Sequence, residues 1–189
     1  MKETEITVQV FNSLEEIDNL LVNQGFEKTR IFQLNDWYFT KLDDVQNVSF
    51  IDLINNSFLV RQLISNTEKL QLCYKQKQVD RFNNVIAEEK FVSQIGSLAE
   101  TLKIFNLCGL NNYCTIKNHS CVYKKGITEF ALQVVENLGI FIEFEEDESM
   151  LGMDEQQKIN YMFSILKSLN LKLGDDHSCK KVMMMLNRK

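Results

Sequence analysis

Four glutamates in two doublets are the residues best placed to do chemistry in this chain. They are Glu3 and Glu5 near the start, and Glu143 and Glu145 late in the sequence. Residues two apart on a strand point to the same face, so each E-x-E doublet would present two carboxylates side by side. Carboxylate oxygens suit hard divalent cations such as Mg²⁺ and Mn²⁺. Other strand-like stretches carry Arg61, Lys75, Lys77 and Lys117 at positions that alternate with apolar residues. Guanidinium and ammonium groups pair with phosphate oxygens through charge-assisted hydrogen bonds. Carboxylates and basic groups sharing one cavity would suit a metal-chelated polyphosphate.

Several elements are expected to position these residues. Ile6, Val8 and Val10 alternate with Glu5, Thr7 and Gln9, which is the period of a half-buried strand over 3–11. Ser13 with Glu16 three residues on is a capping box, and Gly25 closes the helix it opens. Strands are expected over 29–40, 57–64, 69–77 and 84–92, with a loop or short helix in the polar stretch 41–56. Ser97 and Glu100 repeat the capping signature before a helix that runs to about Leu107. Strands over 113–123, 127–136 and 140–146 follow, the last pair joined by a tight turn at Asn137-Leu138-Gly139. Asp154 caps a helix with Ile159, Met162, Ile165, Leu166 and Leu169 on one face; Gly174 separates it from a final helix over 177–187. This order reads as an α+β protein with mainly antiparallel pairing, in one domain over 1–189 with a helical segment at about 154–189.

Composition narrows the functions. The chain has 189 residues and a net charge of −5, so it lacks the overall positive charge of a nucleic-acid binder. Five cysteines without a C-x-x-C spacing, and only two histidines, argue against a disulfide framework or a structural zinc site. The N-terminus goes straight into charge and no apolar run approaches the roughly 20 residues of a membrane helix. The expectation is a cytoplasmic protein, monomeric or homodimeric, with a small-molecule partner and no nucleic acid or membrane.

The residues also resemble a known family. Leu132-Gln133-Val134-Val135-Glu136-Asn137-Leu138-Gly139-Ile140-Phe141-Ile142-Glu143-Phe144-Glu145 is similar to the L-D-x-V-x-x-L-G-x-F-x-E-x-E stretch of the CYTH superfamily. That superfamily includes class IV adenylyl cyclases, thiamine triphosphatases and inorganic triphosphatases. Glu3-Thr4-Glu5-Ile6-Thr7 resembles its opening E-x-E-x-K, Asp36 and Tyr38 its D-x-Y region, Arg61 the arginine of its third strand, Leu72 to Lys75 its L-T-x-K strand, and Lys117-Asn118-His119 its K-x-R.

The resemblance implies an eight-stranded antiparallel β-barrel, a tunnel with flanking helices, and a triphosphate-containing ligand. It makes Glu3, Glu5, Glu88, Glu143 and Glu145 metal ligands for Mg²⁺ or Mn²⁺, and Arg61, Lys75, Lys77, Lys117 and His119 substrate-binding residues. Glu5, Lys75 and Lys117 would be catalytic. The implied activity is hydrolysis of an inorganic, nucleoside or thiamine triphosphate. The alternatives are cyclic AMP formation from ATP, or a phosphate-ligand binding module with weakened catalysis. The chain departs from the family pattern in four places: Thr7 replaces a lysine, His119 an arginine and Gln133 an aspartate, and His177-Ser178-Cys179 stands at an R-S-Y, losing two more groups. Each lost charge-assisted contact would cost about 1.5–3 kcal/mol of binding.

Overall fold

The computed structural model describes residues 4–79, 85–176 and 178–188; for 78, 79 and 85–88 it describes the backbone alone. Eight strands form one sheet: β1 (Glu5–Val10), β2 (Glu27–Thr40), β3 (Ser57–Ile64), β4 (Glu68–Val79), β5 (Val85–Gln94), β6 (Asn111–Lys125), β7 (Thr128–Val135) and β8 (Gly139–Glu145). Their order is β1-β8-β7-β6-β2-β3-β4-β5. The expected eight-stranded antiparallel sheet with helices is therefore present. The hydrogen-bonded ladder has two ends, β1 and β5, and no pairing joins them among the described residues. Among the described residues five α-helices accompany it: α1 (Leu14–Asn23), α2 (Phe50–Asn55), α3 (Leu98–Leu107), α4 (Glu155–Ser168) and α5 (Lys181–Leu186). None of the described helices is long and apolar enough to cross a membrane.

The chain forms two compact units. Among the described residues, the first contains 4–32 and 118–184. On β1 and β8 the apolar positions Ile6, Val8, Val10, Ile142 and Phe144 point to one side. There they join Ile17 and Leu21 of α1 and Met162 and Leu166 of α4 in a core that excludes water. Burial of such side chains contributes roughly 1.5–3 kcal/mol each before entropy is counted. Period-two alternation then forces Glu5, Thr7, Glu143 and Glu145 onto the opposite side of the same strands. The caps read from the sequence form: Ser13 and Glu16 exchange bonds at the start of α1, and Asp154 does the same with Gln157 at α4. Ser97 accepts from the Glu100 amide at 3.3 Å.

The turn between β7 and β8 sets the register of the acidic strand. Asn137 (φ 65°) and Gly139 (φ 108°) both occupy the left-handed region, which glycine and asparagine adopt most readily. The resulting ladder places Ala131 opposite Glu143. The last helix begins at Lys181, later than the 177–187 span expected. Its preceding residues are held elsewhere: Ser178 bridges Thr7 in parallel, and the Cys179 amide donates to the Thr7 carbonyl at 3.1 Å. Backbone committed to a strand edge cannot also close helical turns.

The second unit contains 33–117. Its core joins Phe39, Val60, Phe105 and Leu110, with Phe105 of α3 edge-on to Phe39 at 5.1 Å. The polar stretch 41–56 contains the short helix α2, which Ser49 caps by accepting from the Asp52 amide. The Asn55 side chain pairs with both backbone groups of Lys77, at 2.7 and 2.8 Å, and so supports the C-terminal half of β4.

One ion pair of the first unit makes stability depend on pH. Lys158 and the Thr4 amide both donate to the Glu146 carboxylate, at 2.8 and 2.9 Å. The Lys158 bond, followed by the Thr4 amide, holds its carboxyl down to about 2 against an ordinary 4.5. A depressed carboxyl stabilises the fold above its unfolded pKa, and that stability is lost as pH falls through the folded value. Partial exposure keeps the contribution to about 1 kcal/mol. The expected result is that Glu146→Gln melts lower than wild type at pH 7, with the gap closing between pH 4.5 and pH 2. Denaturant unfolding across that range checks it; a gap that does not change with pH would contradict it.

Candidate functional site

The acidic face of the first unit is built from two neighbouring strands. In the β1–β8 ladder Glu5 lies opposite Glu145, and Thr7 lies opposite Glu143. Glu5 and the distant Glu143–Glu145 doublet are thereby folded into one group. Carboxylate oxygens of Glu5, Glu143 and Glu145 all lie within 4.8 Å of one another. Three like charges this close repel, and a cation between them relieves the repulsion. The donor set is all-oxygen and all-anionic, which fits Mg²⁺ or Mn²⁺. Glu3, expected beside them, lies outside the described residues.

A lysine from α5 reaches this face. Lys181 Nζ lies 3.0 Å from Glu143 Oε2 and also donates to Gln133 Oε1. The Gln133 amide donates to the same Glu143 oxygen at 3.2 Å. Gln133 is almost fully buried. The sequence counts Gln133 as a lost carboxylate; in the fold it is a bridge that orients both the acid and the ammonium. Lys181 was not legible as a site residue. It lies on a short helix with no strand alternation, which the Thr7–Ser178 bridge and the Cys179–Thr7 backbone bond bring to β1.

Strand β6 departs from expectation. Ser120 pairs with Gln133 and Asn118 with Val135, so Ser120 and Asn118 share the side that carries Gln133. Both are buried, and Ser120 donates to the Asn118 amide oxygen at 2.9 Å. Lys117 and His119 alternate with them, are exposed, and belong to the other face of the strand. The fold does not bring them to the acidic face. The one-residue difference arises because Cys114, Ile116, Asn118 and Ser120 are the residues β6 buries on that side.

In the second unit, Arg61 is fixed by Asp36. Their strands pair residue to residue, and Arg61 Nε and Nη2 donate to the two Asp36 oxygens at 2.8 and 2.7 Å. Burial lowers the Arg61 pKa, and Asp36 more than restores it, so the guanidinium stays charged. Burial, then the Asp36 charge, pushes the neighbouring Tyr38 hydroxyl well above its ordinary value. Arg61 lies opposite Gln71, which shares a face of β4 with Cys73, Lys75 and Lys77. Burial pushes the Cys73 thiol up, opposed by the charges of Arg61, Lys90 and Lys75 and reinforced by that of Asp36. Arg61, Lys75 and Lys77 therefore share one face of the β3–β4 pair, as the alternation implied. Glu88 lies opposite Lys77 on β5, but its side chain lies outside the described residues.

No family model and no curated protein matches the sequence. Solved structures do. The PH1819 protein of Pyrococcus horikoshii OT3 aligns with a TM-score of 0.69 at 17 % identity, covering all of both chains. A candidate adenylyl cyclase from Hippeastrum, HpAC1, described as having a dominant triphosphatase activity, aligns at 0.61 and 16 % identity, over 100 % of this chain and 97 % of its own. A candidate adenylate cyclase from Vibrio parahaemolyticus aligns at 0.59 and 17 % identity, over 98 % and 97 %. The chain thus has the CYTH-type fold that its late E-x-E motif resembles.

Proposed function

We propose that this chain is a divergent CYTH protein that binds a triphosphate with a divalent metal ion and hydrolyses it. The observation that carries this reading is the convergence of Glu5, Glu143 and Glu145 oxygens within 4.8 Å on one strand face. A divalent ion held there would supply positive charge to neutralise phosphoryl oxygens during attack by water. The three glutamates would hold that ion, and Lys181 would stand beside Glu143 to meet a phosphate oxygen. In the second unit by itself, Arg61, Lys75 and Lys77 would make a basic face suited to phosphate, with Asp36 fixing Arg61.

The test is phosphate release from tripolyphosphate, ATP and thiamine triphosphate with Mg²⁺ or Mn²⁺. Turnover that EDTA abolishes and fresh metal restores is expected. Cyclic AMP from the ATP sample would assign cyclase chemistry instead, and no release from any of the three would remove the hydrolase reading.

A second reading has its own support. Two cations are already paired within the fold, Lys181 with Glu143 and Arg61 with Asp36, and Lys117 and His119 face away from the acidic group. Such a site would bind a phosphorylated ligand and turn it over slowly. Tight binding of tripolyphosphate without phosphate release would select it.

A further inference from the structure

We infer that Lys181 makes metal binding at the Glu5–Glu143–Glu145 face conditional on a polyphosphate, so that the ion enters as its polyphosphate complex and not alone. The inference rests on the proposed function and adds a linkage that the reading by itself does not contain.

Its basis is where the ammonium sits. Lys181 Nζ lies 3.0 Å from Glu143 Oε2, and Glu143 is one of the three converging carboxylates. Only 15 % of the Lys181 side chain is exposed, so water screens this charge poorly. The ammonium is also held in place. Gln133 accepts from it and donates to Glu143, and the Ser178–Thr7 bridge and Cys179–Thr7 bond anchor the backbone leading to α5.

Two consequences follow for a cation arriving at the three glutamates. Glu143 is already partly neutralised, so the site offers less negative charge than its composition suggests. The incoming double charge also faces a fixed single charge only a few ångströms away, and that repulsion weakens binding. A polyphosphate reverses the balance. Its oxygens can ligate the metal and accept from Lys181 together, turning two repelling cations into partners of one polyanion. Metal and polyphosphate then raise each other's affinity by the same factor.

Mn²⁺ binding to the full chain, measured by titration calorimetry with and without imidotriphosphate, tests this; chelation by the analogue in solution is subtracted. In wild type the analogue is expected to tighten Mn²⁺ binding by about tenfold or more. Lys181→Met keeps an unbranched side chain of similar length while removing the ammonium that lies 5.9 Å from the Phe141 ring centroid, so a melting curve close to wild type is expected. Without the ammonium, Mn²⁺ alone should bind about tenfold tighter and the effect of the analogue should shrink toward none. Lys181→Arg should retain the coupling.

The inference is overturned if Lys181→Met binds free Mn²⁺ no tighter than wild type, or keeps the full coupling. These outcomes are separable from failure of the proposed function. If the analogue binds neither protein, the triphosphate reading falls, and the coupling with it. If it binds both with equal coupling, Lys181 alone loses its role.

Discussion

Glu143→Gln should reduce metal-dependent triphosphate hydrolysis by more than the roughly 10- to 100-fold that loss of a metal's outer partners costs. Glu143 does two things at once. It offers an oxygen to the acidic group, and it accepts from Lys181 and Gln133. Glutamine keeps the shape and one acceptor oxygen, so the bridge through Gln133 can persist while the charge is lost. Stability should move little, because loss of the Lys181 ion pair is offset by relief of repulsion among three carboxylates. Glu5→Gln acts on the same group from β1 and should give a loss of similar size. The double variant should be scarcely worse than either single one, because both remove one shared ion. Initial rates across a Mn²⁺ titration check this. Rates equal to wild type across the whole titration, at limiting metal as well as at saturation, would sink the three-glutamate site, whereas a low rate restored by excess metal would mean the loss was one of affinity.

The legibility of this site in the sequence followed the period of each element. Strand alternation is local, so Glu5 and Glu143–Glu145 could be assigned to polar faces from their neighbours alone, and the ladder then brought those faces together. The common face of Arg61, Lys75 and Lys77 could be assigned the same way. Alternation failed on β6 because both of its faces carry polar residues. Lys117 and His119 looked like the functional pair, yet burial chose Asn118 and Ser120 for the side of Gln133. A strand that begins N-N-Y-C-T-I-K-N-H-S, with polar residues at both parities, has no apolar face clean enough to fix its own orientation. Lys181 and the Gln133 bridge lay further out of reach. They depend on a parallel contact between Thr7 and Ser178, which nothing in the local pattern of 175–181 announces. The shortened final helix has the same cause.

Asp36→Asn is expected to destabilise the chain by about 2 kcal/mol, somewhat below the usual cost of breaking a buried pair because Arg61 retains some exposure. The argument starts from burial. Asp36 is almost wholly enclosed, and both of its oxygens are used by Arg61. Asparagine keeps one acceptor but leaves a guanidinium in a half-buried position without its counter-charge. Arg61→Met with Asp36→Asn removes the stranded charge and should recover part of the loss, giving a coupling energy that a double-mutant cycle isolates. Binding separates two roles for the pair. A guanidinium carries five N–H donors, and Asp36 takes two of them, so the others can still meet a phosphate while the aspartate fixes their direction. If Asp36 positions Arg61, the variant should bind tripolyphosphate about tenfold more weakly even though the unit has gained a net positive charge. If Asp36 merely neutralises Arg61, the same substitution should tighten binding. The sign of that change, measured under conditions where the variant remains folded, decides whether Arg61 is an oriented phosphate ligand or a strut of the β2–β3 pair.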